Sequence, residues 1–144
     1  MERPFRILTI IGARPQIIKA AAISRAVQGL FKGRIRETLL HTGQHYDANM
    51  SQVFFDELGI PRADIDLAVG SGAHGAQTAR MIEGIEGELQ RTGYDAVLLY
   101  GDTNSTLAGA VAASKLHIPV AHVEAGLRSF NKSMPEEINR IVCD

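Results

Sequence analysis

The chain alternates short apolar runs with longer segments in which apolar residues recur every three or four positions. Short runs rich in β-branched residues and ended by glycine or polar residues are typical of buried parallel strands. Segments with the longer period are typical of amphipathic helices. The pattern predicts five strands, at residues 5–11, 36–42, 64–69, 95–100 and 118–123.

A helix is predicted after each of these strands. Pro15 suits a first helical turn, Asp47 could cap the second helix, and the third helix starts at Gly75. The fourth and fifth helices are predicted at residues 103–116 and 134–142. Because strands and helices alternate with short connections, we expect a Rossmann-like α/β fold, a parallel sheet with helices on both faces.

Composition narrows the class of protein. A length of 144 residues corresponds to about one domain, and 15 basic against 16 acidic residues leave a net charge of −1. This balance gives no reason to expect nucleic acid or a membrane as partner. The apolar runs are shorter than the roughly 20 residues that span a bilayer. The only cysteine, Cys143, excludes an internal disulfide. We therefore expect a cytoplasmic α/β domain.

The polar residues are concentrated where the predicted strands end. Ligands of open parallel sheets bind beyond the carboxyl ends of the strands, so these residues are expected to line one cleft. Arg14 lies at the start of the first helix, and Lys19 follows about one turn later. A helix N-terminus favours anions, and two cations strengthen that preference, although both could equally be solvated surface residues.

Carboxylates are the candidate acid and base groups. Asp102 and Glu124 each follow an apolar strand, and Glu136 and Glu137 open the last predicted helix. Restricted water and a neighbouring like charge keep one carboxyl of such a pair protonated, which supplies a general acid and a general base together. The alternatives are structural: Asp102 could cap the following helix, and the glutamate pair could complement a helix dipole.

Other chemistries have weaker support. The segment 70–75 matches the dinucleotide pattern G-x-G-x-x-G, and Asp95 follows at the expected interval, but the segment follows the third strand and Asp95 begins its own strand. His41 and His45 span a strand end and a turn rather than one helical face, so a metal site is not expected. A phosphate-binding P-loop motif and a nucleophile-elbow motif are both absent from the sequence.

Five motifs, taken together and in this order, resemble the bacterial UDP-N-acetylglucosamine 2-epimerases. Nearly the whole chain is covered by the resemblance, which makes it specific although each motif alone is weak. The motifs are GARPQ at 12–16 with Lys19, TGQHYD at 42–47, GDT at 101–103, HVEAGLR at 122–128 and MPEEINR at 134–140.

The resemblance implies the N-terminal half of a two-domain fold of the glycosyltransferase-B type. Residues 1–144 would form most of that domain, and the C-terminal domain would lie outside this chain. The family converts UDP-GlcNAc to UDP-ManNAc without NAD, metal or other cofactor, by eliminating UDP and adding it back. The resemblance assigns catalysis and substrate binding to the following residues: Asp102, Glu124 and Glu136 as catalytic groups, and Arg14, Lys19, Gln44, His45 and Arg128 as substrate-binding groups.

Several alternatives stay open. The segments 44–50 and 128–140 also resemble relatives that act on UDP-2,3-diacetamido uronates, and the first of them differs from relatives in which UDP-GlcNAc is an allosteric activator. A hydrolysing epimerase that releases UDP and ManNAc, or a non-catalytic nucleotide-sugar-binding domain, would share the same fold. The resemblance also implies a UDP-sugar ligand, a homodimer at full length, an inactive isolated fragment and a role in polysaccharide precursor supply.

Overall fold

The strands form one parallel sheet in a computed structural model that describes residues 2–44, 52–60 and 62–144. Within these residues the sheet has the order β3-β2-β1-β4-β5. All four strand pairings are parallel. The strands are β1 (Phe5–Ile11), β2 (Ile35–His41), β3 (Ile65–Asp66), β4 (Ala96–Tyr100) and β5 (Val120–Val123). The helices are α1 (Arg14–Gln28), α2 (Gln52–Leu58), α3 (His74–Arg91), α4 (Asn104–Lys115) and α5 (Pro135–Cys143).

Two apolar clusters cover the two faces of the sheet, which confirms the predicted layers. Alternate residues of a strand point to opposite faces, so β1 contributes Leu8 and Ile10 to one cluster and Ile11 to the other. Helices α3 and α4 pack on the first face, and α1 and α2 pack on the second. Burial of both faces explains why the strands are nearly continuous apolar runs.

The third strand is much shorter than the sequence predicts. Only Ile65 and Asp66 pair with β2, whereas residues 64–69 were expected to be extended. The Asp66 side chain accepts a hydrogen bond of 2.8 Å from the Ala68 backbone N–H, and Ala68 has a φ of +50°. This local turn interrupts the regular ladder after Asp66, and the Val69 N–H then donates to the Thr42 carbonyl at 3.0 Å.

The remaining element boundaries shift by one or two residues. Strand β5 begins at Val120 rather than at residue 118 because Pro119 has no N–H to donate to the ladder. The predicted helix cap at Asp47 lies outside the described residues. No helix in the described part of the chain is long and apolar enough to cross a membrane.

Candidate functional site

The loops that follow β1, β4 and β5 meet at the carboxyl edge of the sheet. The strand order reverses between β1 and β4, and in open α/β sheets a ligand-binding crevice forms at such a reversal. The turn 12–14 follows β1, the turn 101–103 follows β4, and the segment 124–128 follows β5. The sheet therefore brings together the segments that carry Arg14, Asp102 and Glu124.

Gln16 joins the first two of these turns. Its buried side-chain oxygen accepts hydrogen bonds from the backbone N–H groups of Gly12 (2.8 Å) and Ala13 (3.1 Å). Its amide nitrogen donates to the Tyr100 carbonyl (2.8 Å) and to the Thr103 hydroxyl (2.9 Å). A single side chain thus sets the spacing between the Arg14 turn and the Asp102 turn.

A second buried network lies behind the crevice. Thr42 and Ser105 share a hydrogen bond of 2.8 Å between their hydroxyls, and Ser105 donates to the Gln44 side-chain oxygen at 2.6 Å. A Cβ atom on Gly12 would overlap both hydroxyl oxygens, so the close approach requires glycine here. The oxygen of Gln44, a predicted substrate-binding residue, is therefore engaged with Ser105.

Lys19 and Glu124 form an ion pair across the crevice. Their side chains are 42% and 33% exposed, so the pair itself contributes only about 0–1 kcal/mol to stability. Glu124 has a φ of +72°, a conformation that costs a non-glycine residue about 1–2 kcal/mol. Glu124 Oε2 lies 3.9 Å from the position of a Cβ atom on Gly101, which places its carboxylate beside the Asp102 turn.

Asp102 is held between α4 and α5. Its backbone carbonyl accepts a 2.8 Å hydrogen bond from the Asn139 side chain, and its Oδ2 lies 3.5 Å from Arg140 Nε. The suggestion that Asp102 caps the following helix is wrong, because the N-cap of α4 is Thr103, whose hydroxyl accepts from the Thr106 N–H. The Asp102 carboxylate is consequently not used in capping.

The structure separates the two glutamates of α5. Glu136 is exposed in the first turn, whereas the Glu137 side chain is 1% exposed. Burial acts to raise the pKa of Glu137, but hydrogen bonds from Phe130 and Ser129 and the charge of Arg140 outweigh it and lower the pKa. Glu137 therefore anchors the segment before α5, and Glu136 is the member of the pair that faces solvent.

The other predicted binding residues have different surroundings. The Arg14 guanidinium lies 4.7 Å from the centre of the Phe54 ring and is exposed at the N-terminus of α1. Arg128 Nη1 donates to Asp144 at 2.7 Å. His45 lies outside the described residues. The structure thus brings Arg14 to a helix N-terminus, as predicted, and directs Arg128 to α5's end.

The geometry gives no support to a dinucleotide site. Asp95 accepts two hydrogen bonds from Arg3 at the amino end of β4, the opposite edge from the crevice. The glycine-rich segment 70–75 follows β3, an edge strand that lies away from the reversal point between β1 and β4. Its Gly70 carbonyl accepts a hydrogen bond from Gln77, so the segment is a turn tied to α3.

Several groups that shape the site were not singled out from the sequence. Gln16, Asn139 and Arg140 each contact a turn from a distant part of the chain, and Asp144 contacts the segment after β5. The spacing of Glu136, Asn139 and Arg140 on one predicted helix was the available indication, because residues three and four apart share a face. Their partners could not be identified without the fold.

The chain is similar in sequence to known proteins over most of its length. The family model described as UDP-N-acetylglucosamine 2-epimerase matches residues 31–144. The UDP-2,3-diacetamido-2,3-dideoxy-D-glucuronate 2-epimerase of Pseudomonas aeruginosa is 58% identical over 139 residues, which cover 96% of this chain and 39% of that protein. A UDP-N-acetylglucosamine 2-epimerase homolog of Methanococcus maripaludis is 55% identical over 96% of this chain and 38% of its own length.

A solved structure shows the same fold. The crystal structure of Methanocaldococcus jannaschii UDP-GlcNAc 2-epimerase, in complex with UDP-GlcNAc and UDP, superposes with a TM-score of 0.90 at 50% identity. The match covers 97% of this chain and 38% of that one. The chain therefore spans about two fifths of the length of these relatives.

Proposed function

The chain belongs to the UDP-N-acetylglucosamine 2-epimerase family, and on this basis we propose that the full-length protein is an isomerase that inverts C2 of a UDP-linked 2-acetamido sugar. The first candidate reaction converts UDP-GlcNAc to UDP-ManNAc without hydrolysis. The observation that carries the proposal is the Lys19–Glu124 ion pair, which lies beside the turn that carries Asp102, at the reversal point of the sheet.

The proposed chemistry is an elimination followed by an addition. A carboxylate removes the C2 proton while the bond between C1 and the diphosphate oxygen breaks, and its electron pair leaves with UDP. The product is a 2-acetamidoglucal. UDP then adds back to C1 as a proton returns to C2 from the other face. The reaction needs acid and base groups on the sugar and cations near the departing diphosphate.

The described residues include both the acid and base groups and the cations that this reaction requires. Asp102 and Glu124 lie on adjacent turns and are proposed to move protons, with Glu136 as the third acidic group. Lys19, paired with Glu124, and Arg14, at the N-terminus of α1, are proposed to face the diphosphate. The Lys19 pair is partly exposed, so an incoming phosphate can compete with Glu124 for the ammonium group.

A second substrate is favoured by one comparison. The Pseudomonas aeruginosa relative, at 58% identity, is named for UDP-2,3-diacetamido-2,3-dideoxy-D-glucuronate. Such a sugar has the same reacting C1 and C2 but an added acetamido group at C3 and a carboxylate at C5. The same proton-moving groups would serve both substrates, and the difference would lie in contacts to C3 and C5.

Family membership also supports proposals about the domain organisation, assembly and biological role of the full-length protein. We propose that residues 1–144 form most of an N-terminal domain, and that a second domain completes the cleft. This chain alone would then be inactive. The full-length protein is proposed to be a cytoplasmic homodimer that supplies a precursor of cell-surface polysaccharide, with Gln44, His45 and Arg128 contributing to substrate binding.

Proton NMR of the full-length protein in D2O tests the reaction. Each UDP-sugar is incubated separately, and the C2 proton signal of the sugar is followed with time. We expect loss of that signal with appearance of the C2 epimer still attached to UDP. Free UDP with free sugar would instead indicate a hydrolysing epimerase. Binding of the UDP-sugar without exchange at C2 would contradict catalysis and favour a binding domain.

Two variants test the assigned residues. Asp102→Asn and Glu124→Gln keep the shape of each side chain and remove its basic oxygen, so each is expected to lower kcat by roughly 10²–10⁴-fold. Glu86→Gln, an exposed change of the same kind on α3, is the control and should leave kcat unchanged. Wild-type turnover in either carboxyl variant would contradict the role given to that residue.

A further inference from the structure

The Asp144 carboxylate contacts three groups that flank Glu124. Its Oδ1 lies 3.0 Å from His122 Nδ1, and its Oδ2 accepts from the Gly126 N–H and from Arg128 Nη1, both at 2.7 Å. The three partners stand two residues before, two residues after and four residues after Glu124. One carboxylate therefore contacts the chain on both sides of Glu124.

His122 extends this contact to the Asp102 turn. Its imidazole, 7% exposed, places Nε2 2.7 Å from the Gly101 carbonyl oxygen while Nδ1 faces Asp144. A carbonyl only accepts hydrogen bonds, so Nε2 must carry a hydrogen, and the carboxylate accepts from Nδ1 when that nitrogen carries one as well. The ring thus links Asp144 to the residue immediately before Asp102.

Glu124 occupies a backbone conformation that needs such support. A φ of +72° is unfavourable for a residue with a side chain, and it persists only where surrounding contacts impose it. In this conformation the carboxylate pairs with Lys19 and lies beside Gly101. A backbone with negative φ would turn the side chain in a different direction and would not preserve both contacts.

We propose that Asp144 is a positioning residue, which holds Glu124 in its left-handed conformation and, through His122, aligns the Asp102 turn with it. The proposal rests on the proposed function, because Asp102 and Glu124 are the groups it aligns. Asp144 acts through these two groups and does not itself touch the reacting atoms. Its charge also matters: the hydrogen bond from Arg128 lowers the pKa of Asp144 and keeps it a carboxylate acceptor.

Kinetics of the full-length protein distinguish positioning from general support of the fold. Asp144→Asn is expected to lower kcat about 100-fold, as small misplacements of catalytic groups do. It is expected to change KM by a smaller factor than kcat, through its loosened contact with Arg128. Asp144→Glu, which keeps the charge, should recover part of that loss. A purely structural role would lower the melting temperature of both variants and leave kcat at 25 °C unchanged, which would overturn the proposal.

A double variant tests whether Asp144 acts through Glu124. If it does, the loss of kcat in Glu124→Gln with Asp144→Asn should be clearly smaller than the product of the two single losses, and the remaining extra loss is that of the Asp102 turn. Losses that multiply would show that the two residues act independently and would overturn the proposal. Should Asp144→Asn fail to fold, His122→Asn replaces it in the same tests, since it retains a donor toward Asp144 and loses the contact to Gly101.

Crystal structures of the wild-type and Asp144→Asn proteins separate this proposal from the proposed function. If the wild-type protein turns over neither UDP-sugar, the proposed function fails, but the backbone of Glu124 still tests the positioning. A negative φ at Glu124 and a broken contact to Lys19 in the variant would support it. An unchanged Glu124 in the variant would overturn it.

Discussion

Replacement of Gln16 tests the network that joins the β1 and β4 turns. Gln16 is 3% exposed, and its side-chain oxygen is the acceptor for two buried backbone N–H groups, at Gly12 and Ala13. Gln16→Leu fills a similar volume but removes that acceptor. The Tyr100 carbonyl keeps a partner, because the Thr106 hydroxyl also donates to it at 2.8 Å.

The expected loss follows from those two N–H groups. A buried donor without a partner costs about 1–3 kcal/mol, so the loss of the acceptor for two of them is expected to lower the free energy of unfolding of Gln16→Leu by about 2–6 kcal/mol. Gln16→Glu keeps the acceptor for both N–H groups but loses the donor toward the Tyr100 carbonyl and the Thr103 hydroxyl. It also buries a carboxylate that faces the Tyr100 carbonyl oxygen, so its expected loss at neutral pH is no smaller than that of Gln16→Leu.

Urea unfolding of the 144-residue chain, followed by circular dichroism, measures both changes. Gln28→Leu, the same substitution at an exposed position of α1, is the control and should alter the free energy of unfolding by less than about 0.5 kcal/mol. A loss below about 1 kcal/mol for Gln16→Leu would refute the reasoning.

Two further predictions concern the edge of the sheet and the crevice. Hydrogen bonds from Arg3 hold the pKa of Asp95 at about 2, so Asp95 stabilises the fold above pH 4 and loses that contribution as pH falls toward 2. Arg3→Met should raise the pKa of Asp95 toward 3.8, measured by carboxyl ¹³C NMR, and an unchanged midpoint would contradict the assignment. Gly12→Ala would overlap the Ser105 hydroxyl and should cost about 1–3 kcal/mol in urea unfolding, whereas Gly87→Ala, with no atom within 4 Å, should be neutral or stabilising. Equal effects of the two alanines would exclude the overlap as the cause.

Most of the fold could be predicted from the chain because its elements have strong local periodicity. The runs at β1 and β4 are apolar on both faces, which is consistent only with a sheet covered on both sides, and the helices between them dictate parallel pairing. The segment at β3 was predicted too long. Its end depends on a side-chain turn at Asp66 that interrupts the ladder, and periodicity does not report such a contact.

The candidate site could be predicted only in part. Parallel pairing alone sends the turns after β1, β4 and β5 to the same edge, so the sequence already placed Arg14, Asp102 and Glu124 together as expectations. It could not show that Thr103 rather than Asp102 caps α4, because both residue types make good caps. The choice depends on which side chain the backbone turns toward the helix.

The sequence by itself determined the class of fold, the edge of the sheet where chemistry would occur, and the family to which the chain belongs. The tertiary structure decided which carboxylates face solvent and which are buried in contacts that hold the fold together. Glu136 and Glu137 are adjacent and identical in type, yet one is exposed and the other buried, because successive helical residues point about 100° apart and only one direction meets the core. The pairing of Lys19 with Glu124, and of Asp144 with the segment around it, joins residues more than 15 positions apart, and only the packed sheet and helices bring them within hydrogen-bond distance.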